Sequence, residues 1–139
     1  PAVLHAARRA DEVHGAGARA VVVADLPALR PGDLAAALDE ANGLDRPAFV
    51  TDAAGTGTTL LTAASSAALQ PCFGHRSALR HRALGHLAIR SPVPTLRRDV
   101  DVRDDLRAAE RLGLGRHTAE LLRALRATAA ASQRAVGGG

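Results

Sequence analysis

Asp25 stands where a β-branched run stops. Val21-Val22-Val23-Ala24 reads as a buried central strand, and Pro27, two residues past the carboxylate, ends any further ladder pairing. An aspartate there sits at the carboxyl end of a strand, on the lip of an α/β sheet, where such folds bind ligands. A plain loop or cap role fits the same pattern. A second acidic group follows in Arg97-Arg98-Asp99-Val100-Asp101. If 95–100 is an extended strand, Asp99 and Asp101 share one face. Two such carboxylates facing a third make an all-oxygen site for a hard cation. Asp101 has a competing reading as the N-cap of the helix that begins at Val102-Arg103-Asp104-Asp105. Asp99 has none.

Two further stretches suit anions. Asp52-Ala53-Ala54-Gly55-Thr56-Gly57-Thr58-Thr59 holds two glycines that let a loop fold tightly, so that successive backbone N–H groups converge, with threonine hydroxyls as added donors. It is not a P-loop, because the lysine is missing and a strand rather than a helix follows. An ordinary Gly-Thr turn fits it too. Phe73-Gly74-His75-Arg76-Ser77 leads into a helix expected over 78–84, with Ser77 as a natural N-cap. A helix amino terminus is a seat for phosphate or carboxylate, and Arg76 beside it would strengthen that; a cap without a ligand is the plainer alternative. The six histidines show no metal-ligand spacing, and no nucleophile-elbow sequence supports a Ser–His–acid hydrolase.

The elements that must position these residues follow from periodicity and punctuation. Helical spacing covers 2–14, with Gly15 as its stop. A strand is expected over 19–24, a helix from Pro31 to Gly43, and a short strand over 47–51. This order argues for a parallel α/β sheet. Strands are also expected over 86–89 and 95–100, then a helix to about Leu112 and a last helix from Arg116 to about Ala131. The domain is drawn at 1–128, with 129–139 as a disordered tail ending in Gly137-Gly138-Gly139.

Composition narrows the classes. Hydrophobic residues make up 47%, almost all Ala, Leu and Val, so the core is aliphatic. No apolar run can span a bilayer and no signal peptide is present, so no membrane role is expected. A single Cys72 excludes an internal disulfide and suits the cytoplasm. All 18 basic residues are arginine and the net charge is +4, which fits an anionic ligand and equally a GC-rich coding bias. Two Phe and no Trp or Tyr leave no stacking platform for single strands, and no duplex-reading motif occurs, so nucleic acid is not the expected partner. The first residue is not Met and lies inside a helical pattern, which suggests a fragment lacking its amino-terminal part.

Taken in order, strand-Ala-Asp-Leu-Pro, Gly-Thr-Gly-Thr-Thr, Phe-Gly-x-x-Ser-x-x-x-His and Arg-Asp-Val-Asp-x-x-x-Asp-Leu resemble the carboxyl-terminal part of one family over about residues 2–122. These are the CofC/FbiD guanylyltransferases of coenzyme F-420 biosynthesis, and the Arg/Ala-rich style resembles their actinobacterial branch. The resemblance implies a Rossmann-like sheet of the nucleotide-diphospho-sugar transferase (GT-A) type with flanking helices, incomplete at its amino terminus. It implies transfer of GMP from GTP to phosphoenolpyruvate, or to 2-phospho-L-lactate, with release of pyrophosphate. Asp25 and Asp99, with Asp101 as a third ligand, would hold Mg²⁺; Thr58, Thr59, Gly74 and Ser77 would hold the acceptor. The GTP-gripping Gly/Lys segment of the family would lie upstream, so this chain alone would not complete the reaction. Two departures stand out: His75-Arg76 replaces a frequent Pro-Gly, and Thr59 stands where Asn is common. The alternatives are a nucleotidyltransferase of the same fold, such as a molybdenum-cofactor guanylyltransferase, and a basic nucleic-acid-binding module.

Overall fold

A computed structural model describes residues 2–136, with no account of side chains beyond 133. Its elements are α1 (Ala2–His14), β1 (Arg19–Val22), α2 (Pro31–Asn42), β2 (Ala48–Thr51), β3 (Thr58–Ala63), α3 (Ser77–Ala83), β4 (Leu87–Ala88), α4 (Pro94–Arg97), α5 (Arg103–Leu112) and α6 (Arg116–Val136). The four strands form one open sheet in the order β1-β3-β2-β4.

The sheet is mixed, not parallel. β3 runs antiparallel to both β1 and β2, and only β2 and β4 are parallel. The reason lies in the connection. Residues 52–57 join β2 directly to β3, which is enough for a hairpin and too short for the crossover that parallel neighbours need. Between β2 and β3 the register shifts at Val50/Thr51, so that Val50 faces Leu60 while Thr51 faces Thr58 and Thr59 is the extra residue of a bulge.

Helices cover both faces. Ala48, Val50 and Leu60 pack with Ala37 of α2 and Leu96 of α4, while Phe49, Leu61 and Ala63 pack with Ala7 of α1 and Ala78 of α3. Alternate residues of β2 and β3 thus go to opposite layers. Apart from Phe49, the fully buried apolar side chains are aliphatic, as the composition required.

The expected strand over 95–100 is replaced by α4 and a loop. Pro94 opens α4, where its fixed φ suits a first helical position and its missing N–H is no loss. The Asp33 carboxylate of α2 accepts from the Thr95 N–H at 2.8 Å and from Thr95 Oγ1 at 2.7 Å, fixing that turn. Arg97 then donates to the Thr51 hydroxyl at 2.7 Å and to the Ile89 carbonyl at 2.9 Å, clamping the ends of β2 and β4. At the other end of the chain, α6 runs through 129–136, which were expected to be tail; residues 137–139 lie outside the described residues. Among the described residues no helix is long and apolar enough to cross a membrane.

Candidate active site

The ladder of β1 ends at Val22, and the chain stays attached to the sheet for one more step through Val23 N–H to the Thr59 carbonyl at 3.0 Å. Asp25 follows, exposed at the strand's carboxyl end. Its carbonyl accepts the Val100 N–H at 3.1 Å, which docks the loop after α4 against the segment after β1. Asp99 is half-buried there, and its carboxyl is raised above the ordinary carboxylate range. Burial is the main cause; its own backbone N–H opposes, and the nearby carboxylates of Asp52, Asp101 and Asp25 push the same way as burial. The three aspartates expected as metal ligands therefore share one electrostatic neighbourhood.

They share it through a loop. Residues 98–102 are not a strand, so the argument that Asp99 and Asp101 lie on one strand face does not hold. Nor does Asp101 cap α5. The N-cap position is Val102, and the Asp105 carboxylate accepts from the Asp101 and Val102 N–H groups at 3.3 and 3.1 Å. The side chain of Asp101 is left exposed and unused by the helix.

Asp52 is the member that the sequence patterns did not single out. Its carboxylate accepts the N–H groups of Thr56 and Gly57 at 2.8 and 2.7 Å, and its carbonyl accepts that of Gly55 at 3.1 Å. A Cβ on Gly57 would lie 2.5 Å from that carboxylate, which explains the glycine. The signal was available: an aspartate followed by turn glycines is the mark of a side chain folding its own loop. The consequence is a correction, because these loop N–H groups close on Asp52 and not on an external anion.

The start of α3 is similarly occupied. The Ser77 N–H goes to the Gly74 carbonyl at 3.0 Å and the Ala78 N–H to the Thr56 carbonyl at 3.0 Å. Ser77 is not the cap. That position belongs to Arg76, in the left-handed region at φ 52°, while Ser77 is a buried first helical residue. The Ser77 hydroxyl meets Thr58 Oγ1 at 3.1 Å, and Thr58 Oγ1 meets His81 Nδ1 at 2.9 Å. The Cys72 N–H donates to His81 Nε2 at 3.0 Å. Strict alternation would put Thr58 on the Leu60 side of the sheet; the bulge at Thr59 is what lets it reach α3. Thr59 is fully buried and its hydroxyl has no hydrogen-bond partner among the described residues. Gly74, at φ 103°, is exposed in the turn before α3.

The expected site residues thus fall into two groups: carboxylates on the loops after β1 and α4, with Asp52 added on the loop after β2, and hydroxyls on β3 and α3. No family model matches the chain. It is 52% identical over 122 residues to the phosphoenolpyruvate guanylyltransferase of Geodermatophilus obscurus, covering 88% of this chain and 54% of that protein. It is 51% identical over 121 residues to the protein of that name from Salinispora arenicola, covering 86% and 55%. With phosphoenolpyruvate guanylyltransferase 2 of Rhodococcus jostii it shares 51% over 106 residues, covering 76% and 49%. The chain belongs to the phosphoenolpyruvate guanylyltransferase family. It spans about half the length of the curated relatives it matches.

Proposed function

We propose that the protein bearing this chain transfers GMP from GTP to phosphoenolpyruvate and releases pyrophosphate, in coenzyme F-420 biosynthesis. What supports the reading is that the chain is about half identical to proteins of that name, and that the backbone bond from the Val100 N–H to the Asp25 carbonyl docks the loop bearing Asp99 and Asp101 beside Asp25. A cytoplasmic setting, and a sheet of the Rossmann-like, GT-A type, go with this reading.

The donor set fits Mg²⁺. It is all oxygen, and Asp99 is held above its ordinary range partly by the other carboxylates, a repulsion that a dication relieves. Among the described residues no three such side chains close around one point, so the reading requires an ion that keeps waters and takes phosphate oxygens as ligands. When bound, the ion would neutralise charge between two polyanionic reactants.

The chain's own part is positioning and electrostatics. Thr58, Thr59, Gly74 and Ser77 would hold the phosphate and carboxylate of the acceptor, and Asp25, Asp99 and Asp101 would fix the reacting phosphates. An acceptor phosphate oxygen then attacks the α-phosphorus of GTP; a new P–O bond forms as the bond to the β-phosphate bridge breaks, and pyrophosphate leaves with the electron pair. No side-chain base is needed, since a phosphate monoester is already anionic at neutral pH. Phosphoenolpyruvate is preferred over 2-phospho-L-lactate on the names of the relatives alone.

The basic-module reading is not favoured. Several arginines are engaged within the fold, among them Arg19 with Asp11, Arg97 with the strand ends and Arg98 with Asp105. The deciding experiment is pyrophosphate release by the full-length protein with GTP, Mg²⁺ and either acceptor. Release with phosphoenolpyruvate alone establishes the proposal. Release with 2-phospho-L-lactate alone changes the substrate, and release with neither from folded protein overturns it.

A further inference from the structure

The backbone donors of the loop after β2 and of the first two residues of α3 are already spent. The N–H groups of Gly55, Thr56 and Gly57 go to Asp52, that of Ser77 to Gly74 and that of Ala78 to Thr56. From β3 and the start of α3, what an acceptor oxygen can still receive comes from the Thr58 and Ser77 hydroxyls, and a hydroxyl helps an anion only if its proton points outward. The direction of those protons is therefore a functional property, and His81 controls it.

The tautomer follows from a backbone group that cannot reverse. The Cys72 N–H is a donor only, so His81 Nε2, 3.0 Å away, must offer a lone pair. A neutral ring with a bare Nε2 carries its proton on Nδ1, and that proton is donated to Thr58 Oγ1 at 2.9 Å. Complete burial between Phe49, Phe73 and His86 keeps the ring neutral. Three protons now serve two links. His81 supplies the first link, one hydroxyl supplies the Ser77–Thr58 link at 3.1 Å, and one hydroxyl proton is left over. Were Nδ1 an acceptor, Thr58 would donate to the ring, Ser77 to Thr58, and nothing would remain.

We propose that His81 is a positioning residue: as its Nδ1–H tautomer it makes the Thr58–Ser77 hydroxyl pair a net donor to an anionic oxygen of the acceptor substrate. The inference rests on the acceptor site proposed above and adds to it a residue that touches no substrate. His81 lies one helical turn beyond Ser77, so α3 presents both from the same side.

The test uses the full-length protein with three variants. In His81→Asn the side-chain amide can still donate to Thr58 from near the Nδ1 position. His81→Gln can still accept the Cys72 N–H but no longer donates from there, and His81→Leu does neither. The expected result is a KM for phosphoenolpyruvate raised about tenfold or more in His81→Leu and His81→Gln, largely restored in His81→Asn, with the KM for GTP within about twofold throughout. Equal acceptor KM values for the Asn and Gln variants, or a parallel rise in the KM for GTP, would mean a structural role only and overturn the proposal. Because a variant can fail to fold, the wild-type ring is read directly from its ¹⁵N imidazole shifts by NMR at neutral pH. A protonated Nδ1 with a bare Nε2 supports the assignment; an Nε2–H tautomer or an imidazolium overturns it. That reading stands whichever acceptor is used, so it separates failure of this inference from failure of the proposed reaction.

Discussion

Val100 donates its backbone N–H to the carbonyl of Asp25 at 3.1 Å, and this one bond brings two remote parts of the chain into a single acidic lip. Because main-chain atoms make the joint, the carboxylates themselves are not needed to hold it. Asp99 in particular is opposed by its setting, since burial and its acidic neighbours disfavour its charge.

From that opposition we expect Asp25→Asn and Asp99→Asn to leave the fold intact while lowering turnover by about 100-fold or more, as loss of a charge-neutralising group at a phosphoryl site does. Without divalent cation, Asp99→Asn should melt at or above the wild-type temperature. Adding Mg²⁺ should raise the wild-type midpoint and leave that of the variant nearly unchanged. Thermal melts with and without Mg²⁺, beside a pyrophosphate assay, check both halves. Full activity in both variants would remove the metal assignment.

The loop between β2 and β3 depends on Asp52 in the opposite way. Its carboxylate is bonded to the N–H groups of Thr56 and Gly57, and Asp52→Ala orphans both. Water can reach part of this loop, so the expected loss is about 1–2 kcal/mol, at the lower end of what buried orphans cost. Asp52→Asn, which keeps one acceptor oxygen, should lose about half as much. Gly57→Ala should also destabilise, because its methyl would enter the space of that carboxylate. Urea midpoints of the three variants test the order.

How much of this was legible in the sequence depends on the range of the interaction responsible. Local signals read well: Gly15, Gly43 and Gly113 end helices, Pro31 opens one, and the run before Asp25 is a strand, although it is a partly buried edge strand and not the buried central one expected. Sheet direction is not carried by local periodicity, because it turns on loop length: residues 52–57 permit only an antiparallel hairpin between β2 and β3. The strand expected over 95–100 failed for a long-range reason. Asp33 on a distant helix fixes Thr95, and Arg97 reaches back to Thr51 and Ile89, contacts invisible to periodicity. The site shows the same division. Asp99 could be picked out as a carboxylate without a structural excuse, and Asp25 by its place at a strand end, where a loop or cap role fitted as well. Thr58 could not be linked to His81, because that contact requires a bulge no local pattern announces.

Arg76 gives a prediction of opposite sign. It is the only non-glycine residue among those described with a positive φ, at 52°, and it is exposed in the turn before α3. A side chain in the left-handed region costs about 1 kcal/mol relative to glycine. Arg76→Gly should therefore stabilise the protein by roughly 0.5–1 kcal/mol, read as a rise in urea midpoint at unchanged m. If the guanidinium also attracts the acceptor, the same variant should raise the KM for phosphoenolpyruvate, and the effect should fade with added salt. A drop in stability would show that Arg76 makes contacts worth more than its strain.

His81 should leave a signature in the pH dependence of stability. Burial, followed by the nearby His86 and Arg80, lowers its pKa from the ordinary 6.5 to about 4. The folded protein thus keeps this ring neutral where the unfolded chain has already bound a proton. Stability from the group is complete above about pH 6.5, is lost progressively as pH falls towards 4, and declines no further below that. The full loss is of order 3 kcal/mol for one ring. His86, stacked on it at 5.4 Å, is lowered by burial and adds a slope of the same sign. The informative quantity is therefore the difference between wild type and His81→Asn. Urea midpoints at pH 7, 5.5 and 4.5 should converge between the two proteins as pH falls, because the variant has no ring at position 81 to protonate. Parallel lines across that range would mean that His81 titrates alike in both states, and lines that diverge as pH falls would mean that it is charged in the folded state; with either result the buried neutral ring would have to be abandoned.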